Sequence, residues 1–198
     1  MSMVTPQHVF DPPERFVAGT VGPPGQRTFF LQAAGRGRLT SMSLEKQQVQ
    51  VLADRCNDLI DMYAPIEGSE AAASLLQDND PLGTPIEDEF RIQSLGLAYE
   101  PVRGVVVIDC ADGDLDVDGD DPLEEAARDD ARAATGLTEQ QATPPTTVVR
   151  VVLSPAQARA FARRSLALVA AGRAPCPFCG EPLDPEGHIC PRANGYRR

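Results

Sequence analysis

Short runs of β-branched and aromatic residues, separated by Gly and Pro clusters, fill the first forty positions and predict strands. Arg15 to Val21 and Arg27 to Ala33 flank Gly22-Pro23-Pro24-Gly25, the pattern of a hairpin. Gly35-Arg36-Gly37 then turns the chain into Leu39 to Met42, which completes an antiparallel meander. After this the period changes. Ser43 is placed to cap a helix from Leu44 to about Tyr63, with Glu45 in the first turn, where the helix dipole favours an acid. Val49, Leu52, Cys56, Leu59 and Tyr63 recur three and four apart, so one apolar stripe faces the sheet.

Residues 64 to 88 contain Pro65, Gly68, Pro81, Gly83 and Pro85 without sustained periodicity, which predicts a loop with one helical turn around Ala71 to Leu76. Phe90 to Tyr99 and Val105 to Ile108 read as two further strands joined by a turn at Pro101 to Gly104. Val148 to Leu153 is the last strand. Ser154-Pro155-Ala156-Gln157 is a complete helix start, with a Ser cap, Pro at the first position and Gln three after the cap. That helix runs to about Ala171 and stops at Gly172, with Phe161, Ser165, Leu168 and Val169 inside and Arg159, Arg163 and Arg173 mostly outside.

Strands followed by a helix thus occur twice, which suggests a duplicated strand-strand-helix unit. The expected fold class is α+β: a two-layer sandwich, a mostly antiparallel sheet covered by two helices, with a small C-terminal zinc-binding segment. Residues 7–172 form the expected main domain and residues 173–198 the tail.

Charge alters this picture in two places. Residues 109 to 130 hold eleven acids and one Arg, and a Thr, Gln and Pro-rich passage continues to Pro145. Such composition buries too little apolar area to offset chain entropy, so about 110–145 is expected to be a disordered acidic insertion, with a partner-binding acidic segment as the alternative. Residues 150 to 198 hold eight Arg against three acids, so the rest of the chain carries more than the whole formal charge of −11. An acidic body is a poor generic binder of phosphate backbones, and nucleic acid is not the expected partner. No leader pattern or membrane-length apolar run occurs, and a cytoplasmic location is expected.

Candidate chemistry is concentrated at the C-terminal end. Cys176-Pro177-Phe178-Cys179-Gly180 is a zinc-knuckle pattern: two thiolates two residues apart can reach one ion from a tight turn. His188 and Cys190 follow after eight intervening residues and complete four ligands for one structural zinc, which leaves no open position for catalysis. If His188 points away, Asp184 or Glu186 could supply an oxygen. A redox dithiol at Cys176 and Cys179 is the competing reading, disfavoured because the pair follows a helix and enters a Pro and Gly loop.

The remaining candidates have plainer readings. Cys56 lies on the helix stripe and Cys110 ends an apolar strand, so both are expected in the core. His8, near Asp11 and Glu14, reads as a surface histidine. Gly19, Gly22 and Gly25 mimic a phosphate loop, but Pro23 and Pro24 remove donors and no helix start follows. No common catalytic signature is present, and no catalytic residue is nominated.

Three blocks carry a family resemblance. Phe10-Asp-Pro-Pro-Glu-Arg-Phe-Val-Ala-Gly-Thr-Val-Gly, Gly25-Gln-Arg-Thr-Phe-Phe-Leu-Gln-Ala, and Cys176-Pro-Phe-Cys-Gly through Asp184-Pro-Glu-Gly-His-Ile-Cys-Pro-Arg-Ala-Asn-Gly-Tyr resemble an uncharacterised actinobacterial family defined as a domain of unknown function. Its members tend to be encoded beside a histidine-phosphatase or phosphoglycerate-mutase-like protein and a protein resembling lipid kinases, which implies a shared pathway and assigns no residue a role. The leading expectation is a non-enzymatic, zinc-stabilised module that binds another protein. Two alternatives are an enzyme or enzyme subunit of a phosphate-handling pathway, with Arg15, Arg27 or His8 as anion contacts, and nucleic-acid binding through the Arg-rich tail.

Overall fold

The computed structural model describes residues 6–23, 25–64, 66–115, 144–171, 176, 178, 179, 190 and 192, with the side chains of 66–70 excepted. The chain order is β1 (His8–Phe10), β2 (Arg15–Val21), β3 (Thr28–Gly35), β4 (Arg38–Leu44), α1 (Lys46–Tyr63), α2 (Ile66–Leu75), β5 (Asp88–Arg91), β6 (Ser94–Glu100), β7 (Val105–Ala111), β8 (Val148–Leu153) and α3 (Pro155–Ala170). The α+β class therefore holds, with the strands divided between two mixed four-stranded sheets. The first has the order β2-β3-β4-β5 and the second β1-β8-β7-β6.

The two sheets repeat one plan. Each half of the chain is a short strand, a three-stranded meander and a helix, and the two short strands are exchanged. β1 pairs parallel to β8 of the other half, and β5 pairs parallel to β4. Phe10 then stands opposite Val151, and Phe90 opposite Met42. The helices match as well: Val49, Leu52, Ala53 and Cys56 are buried in α1, and Ala158, Phe161, Ala162 and Ser165 in α3, at one constant separation along the chain.

Alternation explains which faces close. In β7, Val106, Ile108 and Cys110 point inward, and in β8, Val149, Val151 and Leu153 do. These side chains join Leu31, Met42 and the buried faces of α1 and α3 in one cluster that spans both sheets. Each helix reaches the other sheet's edge: α3 packs on β2, and α1 on β6. Phe16 of β2 stacks on Phe161 of α3 with centroids 4.7 Å apart, an aromatic pair that contributes about 1 kcal/mol beyond its burial.

Past α2 the chain crosses the outer face of the first sheet as a strap. Leu82 seats over Gly19 so closely that a Cβ there would lie 2.4 Å from the leucine Cγ. Val17, Phe30 and Leu82 form a second small apolar cluster. Gln32, buried on that outer face, donates to Ser41 Oγ and to the Gly83 carbonyl, each at 3.0 Å, and accepts from the Gly83 N–H at 2.7 Å. Its amide is therefore satisfied away from water, as a buried polar group must be.

Several expected boundaries move, each for a local reason. Leu44 still pairs with Phe29, and the Ser43 N–H is taken by the Asp88 carboxylate at 3.0 Å, so capping of α1 passes from Ser43 to Glu45. The Glu45 N–H donates to Gln48 Oε1 at 2.8 Å, as the Ser154 N–H does to Gln157 Oε1 at 2.9 Å. The single helical turn expected near Ala71 is the ten-residue α2. The expected strand from Phe90 to Tyr99 is two strands, because β5 belongs to the first sheet and β6 to the second. Arg159, placed outside on sequence grounds, lies between α3 and α1, where it donates to Asn57 Oδ1 at 3.3 Å and Asp61 Oδ1 at 2.5 Å.

The expected acidic insertion falls mostly at 116–143, outside the described residues. Its neck is described. Ala111 pairs with Val148, and the Asp112 carboxylate accepts from the Thr146 and Thr147 N–H groups at 2.8 and 2.9 Å and from the Thr146 hydroxyl.

Candidate metal centre and a charged cavity

The three cysteines singled out by spacing come together. The sulfurs of Cys176, Cys179 and Cys190 all lie within 4.8 Å of one another, and none is in a disulfide. Cys176 and Cys190 are 5% and 6% exposed, Cys179 somewhat more, and the first two sulfurs are 3.7 Å apart. A tetrahedral ion with sulfur ligands at about 2.3 Å has ligand-to-ligand edges of about 3.8 Å, so this edge fits a soft divalent cation. His188, the expected fourth ligand, and Asp184 and Glu186, its carboxylate alternates, lie outside the described residues.

The turn prepares the sulfur for its role. The backbone N–H groups of Cys179 and Phe178 point at Cys176 and bring its thiol down to about 6. A thiolate is the form that binds metal. Arg192 reaches back to the Phe178 carbonyl at 3.3 Å and ties the far side of the cluster to the turn. Phe178 itself is 63% exposed. The other two cysteines behave as core residues: burial pushes the Cys56 thiol up to about 12, and Cys110 is shifted upward too.

The three residues nominated for anion contact do not converge. His8 Nε2 lies 3.4 Å from Glu89 Oε1, which also accepts from Arg38 Nη2 at 2.7 Å. Arg27 donates to the Ala171 carbonyl at 2.8 Å and closes the end of α3. Arg15 lines a cavity of about 530 Å³ between the start of β2, α3 and the turn after α2, and neither His8 nor Arg27 borders it.

Sequence reasoning missed the partners of Arg15. Asp78 Oδ2 accepts from Arg15 Nε at 2.5 Å, while Oδ1 accepts from Arg15 Nη2 and Arg164 Nη1, both at 3.0 Å, and from the Asp80 N–H at 3.0 Å. Arg164 also donates to the carbonyls of Ala18 at 3.0 Å, Asp80 at 2.7 Å and Asp78. The hydrogen bond from Arg15 holds the Asp78 carboxyl below its usual range, and desolvation lowers Arg164 despite its acidic neighbours. One signal was available: Arg164 precedes the inward Ser165, so it borders the buried face of α3.

Three arginines of the basic C-terminal portion are committed to acids of the body: Arg150 to Asp109 by two bonds of 2.7 Å, Arg159 to Asp61, and Arg164 to Asp78. No helix among the described residues is long and apolar enough to cross a membrane.

Fold and thiols together define an α+β protein with a three-cysteine cluster able to hold a metal ion. The chain belongs to the family described as protein of unknown function DUF3090, whose model matches residues 8–190. No curated protein and no solved structure matches it.

Proposed function

We propose that the protein is a non-enzymatic interaction module of the reducing cytoplasm, stabilised by one structural zinc and bound to another protein. The observation that carries this reading is the 3.7 Å separation of the buried Cys176 and Cys190 sulfurs with Cys179 alongside, the edge of a sulfur tetrahedron. Zinc suits a set of thiolates, and His188 is the fourth ligand in this reading. A segment of this size has little core of its own, so metal binding, at about 10 kcal/mol or more, supplies much of its folding free energy. Four protein ligands fill the coordination shell and leave the ion a structural role.

The partner is a protein rather than a nucleic acid, because the arginines at 150, 159 and 164 are paired internally and the remaining body is acidic. Recovery of the untagged chain from native cells, with elemental analysis of the complex, tests both halves of the proposal. One zinc per chain and a stoichiometric protein partner are expected, with the zinc halved or lost on Cys190→Ser. Substoichiometric zinc with three freely titratable thiols would remove the metal reading. Turnover of a small substrate by the purified chain alone would remove the non-enzymatic one.

A further inference from the structure

The pair of guanidinium groups beside the cavity exceeds what an ordinary loop clamp requires. Arg15 comes from a strand and Arg164 from a helix, yet both aim at one carboxylate, and the Asp80 N–H completes its shell. Two planar donor forks and a backbone N–H are the groups that recognise an oxyanion. The turn itself is held by separate bonds: Arg15 donates to the carbonyls of Asp80 at 2.9 Å and Pro81 at 3.0 Å, and Arg164 to those of Asp78 and Asp80. The Asp78 side chain can therefore rotate out while its backbone stays in place. Gln77 and Asn79 on either side are exposed, which leaves the Asp78 side chain room to swing toward solvent. Next to the carboxylate lies open volume with Leu76, Gln157 and Ala160 among its accessible lining, and about 530 Å³ is the size of a metabolite site.

We propose that this cavity binds a small ligand bearing one carboxylate or phosphate group, which takes the position the Asp78 carboxylate holds between Arg15 and Arg164. Asp78 is then a built-in competitor that keeps the site closed until the ligand displaces it. The ligand's carbon skeleton lies against Leu76 and Ala160. Glu14 and Asp80 stand on the rim, and their charge selects against polyanions. This site is independent of the cysteine cluster.

The test is an NMR titration of the full chain, following the arginine Nε–Hε signals, with inorganic phosphate in one arm and butyrate, a monocarboxylate, in the other. In the wild-type protein the Arg15 and Arg164 signals move saturably with at least one probe, and the stronger arm identifies the group. Apparent affinity is reduced by the fraction of time the site is self-occupied, so Asp78→Asn binds the same probe about tenfold tighter or better. Arg164→Gln abolishes the response. If neither probe moves the signals in wild type, the proposal fails, whether or not Asp78→Asn folds. It fails equally if the asparagine variant binds no tighter than wild type, or if the response survives in Arg164→Gln.

Discussion

Replacing Arg164 by lysine keeps the charge and removes the fork, and the structure sets how much that costs. The guanidinium serves four acceptors on two segments, the Ala18 carbonyl of β2 and the Asp78 and Asp80 groups of the strap, with its side chain only 18% exposed. A lysine ammonium concentrates its donors at one point and cannot reach Ala18 and Asp80 together. Two bonds are lost. Bonds to a charged donor contribute about 1.5–3 kcal/mol when buried, and partial access to water lowers this to about 1 kcal/mol each, so Arg164→Lys should cost about 2 kcal/mol. Urea unfolding followed by far-UV circular dichroism, at fixed zinc, would show this as a lower midpoint with an unchanged slope, and the melting temperature would fall by about 4–8 °C. A double-mutant cycle with Asp78→Ala should give a coupling of about 1 kcal/mol. If the lysine variant stays within about 0.5 kcal/mol of wild type, the fork geometry contributes nothing and the reasoning is wrong.

Acid sensitivity follows from the carboxylates. Asp78 is held low chiefly by its bond from Arg15, and Asp11 by its bond from Arg103, so their contribution is complete above about pH 4 and lost as pH falls through the lowered folded values. The urea midpoint should drop as pH falls below about 4, and less steeply in Asp78→Asn; parallel profiles would contradict the assignment. Gly19→Ala places a methyl into Leu82 and should cost about 1–3 kcal/mol while speeding hydrogen exchange at the Gly83 N–H. Unchanged exchange there would mean that the strap does not depend on the close approach. Replacing residues 116–143 by a short Gly-Ser linker should leave stability within about 1 kcal/mol, because the Ala111 to Val148 pairing and the Asp112 clasp close the neck. Loss of the native far-UV spectrum would show that the replaced residues are part of the fold.

Local rules found most of the meanders and both long helices. Gly22 and Gly25 bracketed the first hairpin, and Ser154 with Gln157 marked the start of α3 at the right residue. What escaped was set by distant partners. β1 is three residues long and owes its existence to β8, and β5 separates from β6 only because it joins β4. α2, with Gly68 and several alanines, has too weak an apolar stripe to announce itself. The cysteine spacing predicted a cluster because ligands close in sequence need only a turn to meet. Arg15, Asp78 and Arg164 lie on three separate elements, and no local pattern could bring them together.

The exchange of short strands has a consequence for biosynthesis. β1 leaves the ribosome about 140 residues ahead of β8, the strand it pairs with. It waits for that partner while the first meander and the β6–β7 pair form. A nascent chain arrested before Val148 can complete the sheet that receives β5 but not the one that receives β1.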